Sequence, residues 1–164
     1  MPTSNIVVVA FAFSKTGQSN LTIAKRATAL AKAWKAPIFT QNDVALHIDP
    51  KAEGVVLFTA KQTAGYLSTF GIVRDLKGLS KIAGWTRAIV VAAPSHDGRC
   101  IRDLEMMGFD VIQDRDFHLR RHTLKGHWYN PRDPQLWVRN PLIWWMREAI
   151  LRLMPWGIYR RIAG

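Results

Sequence analysis

The segment from Pro94 to Arg99 holds the residue types best suited to chemistry in this sequence. His96 and Arg99 lie three residues apart, where a predicted strand ends and a predicted helix begins, so both side chains can face one cleft. An imidazole exchanges a proton near neutral pH, and a guanidinium clamps a carboxylate or phosphate. We therefore predict His96 as an acid or base and Arg99 as an anion clamp, with Ser95 beside them. An alternative stays open in which Arg99 only pairs with an acid such as Asp103.

Familiar enzyme signatures are missing around these residues. His96, Asp97 and Cys100 are residue types that bind metals, but no second group with zinc spacing accompanies them, and we expect no metal site. The segment Ser14-Lys15-Thr16-Gly17 has the ingredients of a phosphate-binding loop in the wrong order. Neither a dinucleotide-binding glycine motif nor a G-x-S-x-G nucleophile elbow is present. A serine hydrolase or a standard dinucleotide enzyme is therefore disfavoured.

Polar residues gather where four of the predicted strands end. Three of these groups are Ser14 to Asn20, Gln41 to Asp43 and Lys61 to Thr63, and the fourth is Pro94 to Arg99. In an open parallel sheet, ligands bind beyond the carboxyl ends of the strands, where helix N-termini attract anions. Strand-to-helix loops are polar in most proteins, so a single loop would indicate little. From the first two loops we predict the following ligand-binding residues: Ser14, Lys15, Thr16, Ser19, Asn20 and Asp43.

The elements that position these loops are strands alternating with helices. Apolar runs predict strands at Ile6–Phe13, Pro37–Thr40, Val55–Thr59, Arg87–Ala93 and Phe109–Ile112. Apolar residues at helical spacing predict helices over 21–34, 67–82 and 101–107. The first run is apolar without alternation, as in a strand buried on both faces. We therefore predict an α/β fold, Rossmann-like, with three layers and a mostly parallel sheet of about five strands.

The C-terminal third differs in composition. Residues 113–140 are rich in arginine, histidine and lysine and include two prolines, which indicates a long basic excursion. A closing helix is predicted from Pro141, with a break at Pro155. Its apolar stripe comprises Leu142, Trp145, Met146, Ala149, Ile150 and Leu153. We expect this stripe to pack on the core, while a membrane-interface role is the alternative. The whole chain, residues 1–164, is predicted to be one domain with its sheet core in 1–112.

Composition and charge limit which partners and which location are expected for this protein. The chain has 164 residues, a single cysteine and a formal net charge of +11. A surface of this charge favours an anionic partner, which can be a small phosphorylated molecule, an anionic lipid or nucleic acid. No recognisable nucleic-acid-binding motif is present, and the longest apolar run, Ile6 to Phe13, is too short for a transmembrane segment. A signal peptide is not expected either, because no cationic stretch precedes this run and Ser14-Lys15 ends it. We therefore expect a cytoplasmic protein, with peripheral membrane contact through its tryptophan- and arginine-rich C-terminus as a further expectation.

The layout of short motifs resembles a known family. The motifs, in chain order, are Ser19-Asn20-Leu21-Thr22, Tyr66-Leu67-Ser68-Thr69, the Pro94 to Arg99 segment, Gly108-Phe109-Asp110-Val111 and Arg147-Glu148. They resemble the YdcF/SanA/ElyC-like family, a bacterial domain long labelled as of unknown function. The resemblance implies a Rossmann-like fold, a cleft for a nucleotide-like ligand such as S-adenosylmethionine, and a role in cell-envelope maintenance.

The resemblance also marks individual residues. His96 and Arg99 match the family's histidine–arginine pair, Ser68 and Thr69 its serine–threonine helix start, and Glu148 the glutamate of its last helix. The chain departs from the family after its first two strands, where larger residues stand in place of the usual glycines. These residues are Phe11-Ala12-Phe13 and Gln41-Asn42-Asp43.

Two functions from different classes follow. The leading hypothesis is a domain that binds an anionic, nucleotide-like or envelope-precursor ligand at the strand ends, and whether it is an enzyme stays open. In that case Arg99 binds the ligand, whereas a pairing with Glu148 would make it a structural link. The alternative is a non-catalytic basic module that docks on a membrane, nucleic acid or a larger complex.

Overall fold

The computed structural model describes residues 5–15, 18–61, 68–114 and 128–163. Its strands are β1 (Ile6–Ala10), β2 (Ile38–Thr40), β3 (Leu57–Thr59), β4 (Arg87–Val91) and β5 (Asp110–Gln113). Its helices are α1 (Gln18–Trp34), α2 (Asn42–Ala45), α3 (Thr69–Ala83), α4 (Asp97–Met106), α5 (Pro141–Leu153) and α6 (Trp156–Ala163), with a 3₁₀ helix at Leu136–Val138. The sequence predicted each of these strands, whereas it did not predict the four-residue α2.

The strands form one parallel sheet in the order β3-β2-β1-β4-β5. In the register of this sheet, Val8 of the central strand β1 lies beside Ile38 on one side and Ile89 on the other. The connections are crossovers through helices, as parallel neighbours require. The predicted α/β, Rossmann-like fold is confirmed, and all the carboxyl ends of these strands lie along one edge.

Alternating residues of the sheet divide the core into two layers. Val8 of β1 packs in the cluster that contains Ala27 of α1, whereas Val9 packs in the cluster that contains Leu76 of α3 and Leu104 of α4. All five residues of β1 are buried, which explains the unbroken apolar run. Helices therefore cover both faces of the sheet.

The ends of α3 show how local sequence sets the boundaries of a helix. Ser68 is the N-cap residue, and its hydroxyl accepts a hydrogen bond of 2.9 Å from the backbone N–H of Gly71. Gly84 ends the helix with a φ of 76°, a conformation that costs glycine little. The helix thus begins two residues after and ends one residue after the range 67–82 expected from the apolar spacing, and Ser68 places Thr69 in the first turn, at the carboxyl ends of the strands.

The packing predicted for α5 is wrong. Of its side chains, Trp144 and Glu148 are the buried ones, whereas Leu142, Trp145 and Leu153 of the predicted core stripe are exposed. The reason is that the helix docks through a polar contact at the sheet edge instead of through its widest apolar face. Within the described part of the chain, no helix is long and apolar enough to cross a bilayer.

Candidate functional site

The turn between β4 and α4 places His96 and Arg99 at the carboxyl edge of the sheet. The N–H of His96 donates to the carbonyl of Ala93 at 2.8 Å, and His96 is the residue before the first turn of α4. Arg99 follows within that turn. Both side chains point inward, since His96 is 3% and Arg99 is 2% exposed.

Arg99 forms a buried ion pair with Glu148 of α5. Its Nε lies 3.1 Å and 3.2 Å from the two carboxylate oxygens, and its Nη2 lies 2.9 Å from Oε1. Glu148 is fully buried. A charged pair of this kind is stable away from water only with such close hydrogen bonding. The structure therefore assigns Arg99 the internal partner that the sequence left as an alternative to a ligand.

The imidazole of His96 contacts partners at both ring nitrogens. Nδ1 lies 3.2 Å from Nη2 of Arg99, and Nε2 lies 3.3 Å from the Thr69 hydroxyl. Nδ1 also lies 3.6 Å from Oε1 of Glu148. In the neutral ring one nitrogen carries the proton: on Nε2 it is donated to Thr69 while Nδ1 accepts from Arg99, and on Nδ1 it faces the Glu148 carboxylate. Thr69, His96, Arg99 and Glu148 thus form one hydrogen-bonded group, which we call the edge cluster.

Burial and charge set the protonation states of the edge cluster. Burial, reinforced by the charge of Arg99, lowers the pKa of His96 from 6.5 to about 4, so the ring is neutral at pH 7. Burial alone would raise the pKa of Glu148, but its contacts with His96 and Arg99 outweigh burial and hold the pKa below its ordinary value. The cluster at neutral pH is therefore one carboxylate, one guanidinium and one neutral imidazole.

Two further arginines surround the carboxylate of Glu148. Arg147 lies 3.6 Å from Oε1, and Arg152 lies 3.9 Å from Oε2. The guanidinium of Arg152 also rests against the first turn of α4, where a Cβ built on Gly98 would lie 2.8 Å from its Nη2. The side chain of Arg147 is 24% exposed and that of Arg152 is 40% exposed, so Arg152 is the more accessible of the two to solvent and to a ligand.

Side chains of α1 and of the residue after β2 satisfy the backbone of the loop after β1. The N–H of Ala12 donates to Oε1 of Gln41 at 2.7 Å, and the N–H of Phe13 donates to Oδ1 of Asn20 at 3.1 Å. Asn20 also donates to the carbonyl of Ser14 at 2.6 Å, and the hydroxyls of Ser14 and Ser19 lie 2.9 Å apart. These groups, which would otherwise face a bound phosphate, are already paired.

An aromatic layer lies between this loop and the edge cluster. The ring of Trp144 lies 4.5 Å from that of Phe13 and 5.4 Å from that of His96, measured between centroids. The indole N–H of Trp144 donates to the carbonyl of Ser95 at 3.2 Å, and the Tyr129 hydroxyl donates to the Ser95 hydroxyl at 3.1 Å. The loops after β1 and β4 therefore meet across one indole ring, and the basic excursion contributes Tyr129 to the same place.

The remaining predicted residues lie apart from the edge cluster or outside the described residues. The Ser68 hydroxyl donates to the carbonyl of Ala163, near the end of α6. Lys15 is exposed, and Asp43 lies in the first turn of α2, half-buried. Thr16 and Thr63 lie outside the described residues, and Lys61 is exposed with its N–H bound to Asp75.

The chain matches no model of a known protein family and no curated protein. A solved structure, "PPC decarboxylase mutant C175S complexed with pantothenoylaminoethenethiol", matches at 13% identity and a TM-score of 0.33, over 65% of this chain and 80% of that chain. A similarity of this size carries no argument about the activity of this chain.

S-adenosylmethionine, which the family resemblance implies, fits the described residues poorly. The backbone N–H groups after β1 are bound to Gln41 and Asn20. Phe11 and Phe13 are buried where glycines would leave room for close approach of a ligand. Among the described residues, no group of three or more histidine, cysteine, aspartate or glutamate side chains is placed to hold a metal.

Sequence reasoning missed several residues around the site. Arg152 was detectable, because it lies four residues after Glu148 on one helix. Tyr159 was missed as well, and its hydroxyl donates to Oδ2 of Asp103 at 2.5 Å. Asp103, the acid considered from the sequence as a partner of Arg99, pairs with Arg102 instead, while Arg99 pairs with Glu148. Tyr129 carried no signal, since it lies in the irregular basic excursion.

Proposed function

We propose that this chain is a divergent YdcF/SanA/ElyC-like domain that binds an anionic, nucleotide-like or envelope-precursor ligand at the carboxyl ends of the strands. The observation that carries the proposal is the convergence of Thr69, His96, Arg99 and Glu148. These residues come from α3, from the start of α4 and from α5. Thr69 and Glu148, the first and the last of them, are 79 positions apart in the sequence. Four of the five residues marked by the resemblance thus belong to a single hydrogen-bonded cluster, and the fifth, Ser68, lies apart from it.

The charge around that cluster favours an anion. Three guanidiniums, those of Arg99, Arg147 and Arg152, lie within 4 Å of the Glu148 carboxylate. Asp97, in the first turn of α4, adds a second carboxylate to that of Glu148. Three guanidiniums and two carboxylates together carry a net charge of one positive unit. The N-terminus of α4 adds its own partial positive charge at the same place. An anionic group of a ligand beside Arg152 and Arg147 would balance this excess.

Within this proposal the buried and the exposed residues have different tasks. Arg147 and Arg152 contact the anion directly, while Arg99 and Glu148 hold α5 against the turn that presents them. His96 is the acid or base if the domain turns over its ligand. Its depressed pKa makes it a neutral group at pH 7, one able to accept a proton but not already charged.

Isothermal titration of the full chain with ATP, uridine diphosphate and S-adenosylmethionine tests the proposal. We expect saturable binding of the two phosphorylated probes and weaker binding of S-adenosylmethionine, which has no phosphate. Arg152→Gln should weaken ATP binding about tenfold, because a charge-assisted contact is lost. Arg87→Gln is the matched control. It removes the same charge from a side chain that is also 40% exposed, but at the opposite end of β4.

Two results would refute the proposal. One is the absence of saturable binding of any phosphorylated probe. The other is an equal loss of affinity in Arg87→Gln and Arg152→Gln, which would indicate attraction to the overall charge and not to the edge cluster. Peripheral membrane contact, the other partner expected from the sequence, is a separate proposal that concerns the opposite side of α5.

A further inference from the structure

The outward side of α5 is apolar along its whole length. Six of its large apolar side chains are between 47% and 85% exposed: Leu142, Ile143, Trp145, Met146, Ile150 and Leu153. Scattered single apolar residues are normal on a protein surface, but a contiguous group of this size marks a contact site. Of the charged residues of the helix, Glu148 is buried and Arg147 is mostly buried, whereas Arg152 is exposed.

The spacing shows that these residues form one continuous stripe. Leu142, Met146, Ala149 and Leu153 follow one another at intervals of four, three and four residues, the repeat of one helix face. Trp145 and Ile150 widen the stripe on either side, at about 100° of rotation per residue. Their direction is fixed because Trp144 and Glu148, on the inner side, are held by Ser95 and Arg99.

Within the helices that carry and follow this stripe, Pro141–Ala163, the exposed charges are all positive. Glu148 is the single acidic residue in Pro141–Ala163, and it is fully buried. Exposed arginines lie before the stripe, within it and after it: Arg139, Arg152, Arg160 and Arg161. Apolar side chains including a tryptophan, bordered by arginines and free of exposed acids, are what an anionic bilayer surface binds.

A second copy of this chain is a poorer match to the same surface. Each copy carries a formal net charge of +11, and a symmetric dimer through α5 would bring the flanking arginines of both copies together. Like charges facing each other oppose association. An anionic lipid surface instead supplies charges of the opposite sign to the same arginines.

We propose that the outward face of α5 docks on the surface of an anionic membrane and lies in the plane of its interface. The stripe enters the boundary between headgroups and acyl chains, and the arginines contact lipid phosphates. The inward face of the same helix carries Glu148 and Arg147, so docking would hold the edge cluster next to the membrane. The docking proposal does not depend on the ligand site.

Co-sedimentation of the full chain with vesicles tests this proposal. The vesicles contain equal parts of phosphatidylcholine and phosphatidylglycerol, and pure phosphatidylcholine vesicles serve for comparison. We expect binding to the anionic vesicles, and we expect the double variant Trp145→Ser, Leu153→Ser to bind at least about tenfold more weakly. The matched control is Leu46→Ser, Ile82→Ser. It removes two apolar side chains that are 84% and 87% exposed on other elements, compared with 85% for Leu153.

A second variant tests the charge component. Arg160→Gln, Arg161→Gln should lower binding to the anionic vesicles about thirtyfold while leaving binding to phosphatidylcholine vesicles unchanged, since the attraction of both arginines to the anionic surface is lost. Equal melting temperatures of the variants would show that the fold is intact. ATP affinity, measured in parallel, distinguishes failure of docking from failure of the ligand site.

Three results would overturn the docking proposal. The first is no binding of the parent chain to the anionic vesicles, and the second is an equal loss of binding in the control pair. The third is a dimer in sedimentation velocity without lipid that Trp145→Ser, Leu153→Ser dissociates. That result would assign the face to a second copy of the chain.

Discussion

Arg99 and Glu148 form an ion pair that links the first turn of α4 to the middle of α5 across 49 positions of sequence. Neither side chain is more than 2% exposed, so each depends on the other for the hydrogen bonds that water would otherwise supply. The pair is therefore the main polar reason that α5 lies at the carboxyl edge of the sheet. It also fixes which side of that helix faces solvent.

Removing one member of this pair should destabilise the protein strongly. Glu148→Leu leaves the guanidinium of Arg99 buried without its carboxylate, and the free energy of unfolding should fall by about 3–5 kcal/mol. Urea unfolding at pH 7, followed by circular dichroism, measures the change. The double variant Arg99→Met, Glu148→Leu should recover more than half of the loss, because the fully buried charge of Arg99 is removed as well and the remaining neighbours, Arg147 and Arg152, are partly exposed.

A small effect would contradict this account of the pair. If Glu148→Leu costs less than about 1 kcal/mol, the carboxylate is not a buried partner that Arg99 needs. Glu53→Leu provides a control in which an exposed glutamate of a loop is replaced, and it should change stability by no more than about 0.5 kcal/mol.

Protonation of His96 should weaken the fold in mild acid. The pKa of His96 is about 4 in the folded protein and 6.5 when unperturbed, so the unfolded chain binds more protons between these values. The free energy of unfolding should therefore fall as the pH falls from about 6.5 to 4, by about 3 kcal/mol in total from this residue. Urea unfolding at several pH values measures the slope.

His96→Asn provides the comparison for that slope. Asparagine keeps an acceptor near the position of Nδ1, facing Arg99, but does not titrate. Its unfolding free energy should vary less between pH 6.5 and 4 than that of the parent chain, while the titration of Glu148 and other carboxylates remains in both proteins. Identical slopes in the two proteins would rule out His96 as the source.

Much of the fold follows from local patterns that the sequence displays directly. The buried run at Ile6 predicts a strand covered on both faces, and Ser68 and Gly84 predict the ends of α3 because their chemistry is local. The placement of α5 does not follow from such a pattern. Its apolar stripe predicts burial, yet the contact of Glu148 with Arg99 decides which side is inside, and this contact depends on two distant segments.

For the candidate site, too, the residues were predictable from local patterns, whereas the contacts between them were not. His96 and Arg99 were predicted because their types and spacing lie at a strand end, and the resemblance supplied Thr69 and Glu148. The role of Arg99 could not be predicted, because the sequence does not show whether its guanidinium pairs with Glu148 or with the anionic group of a ligand. Likewise, Asn20 was predicted to bind a ligand, whereas its amide pairs with the backbone around Phe13 and Ser14.

That pairing makes Asn20 a test of how the loop after β1 is held. Asn20→Ala removes an acceptor from the N–H of Phe13 and a donor from the carbonyl of Ser14, both of them buried. The free energy of unfolding should fall by about 2 kcal/mol, since two buried hydrogen bonds are lost. Chemical denaturation measures this loss, and Thr22→Ala on the exposed side of α1 is the control. A cost below about 0.5 kcal/mol would show that the loop does not need Asn20.

The hydrogen bond between Tyr159 and Asp103 gives a prediction for the docking of α6. The Tyr159 hydroxyl donates to Oδ2 of Asp103 at 2.5 Å, and both side chains are fully buried. Burial raises the pKa of Tyr159, so the phenol keeps its proton and remains a donor. Burial also raises the pKa of Asp103, although its bonds to Tyr159 and Arg102 oppose this rise.

Tyr159→Phe should therefore cost more at neutral pH than in acid. At pH 7 the variant loses a hydrogen bond to a carboxylate, worth about 1.5–3 kcal/mol, whereas near pH 4 protonation of Asp103 reduces the lost bond to a neutral one, worth about 0.5–1.5 kcal/mol. The raised pKa of Asp103 places this protonation above the usual range of an aspartate, and loss of the phenol donor raises that pKa further. Urea unfolding of the parent and the variant at both pH values gives the two differences. An equal difference at the two pH values would mean that Asp103 keeps the same protonation state between pH 7 and pH 4, which would contradict the prediction.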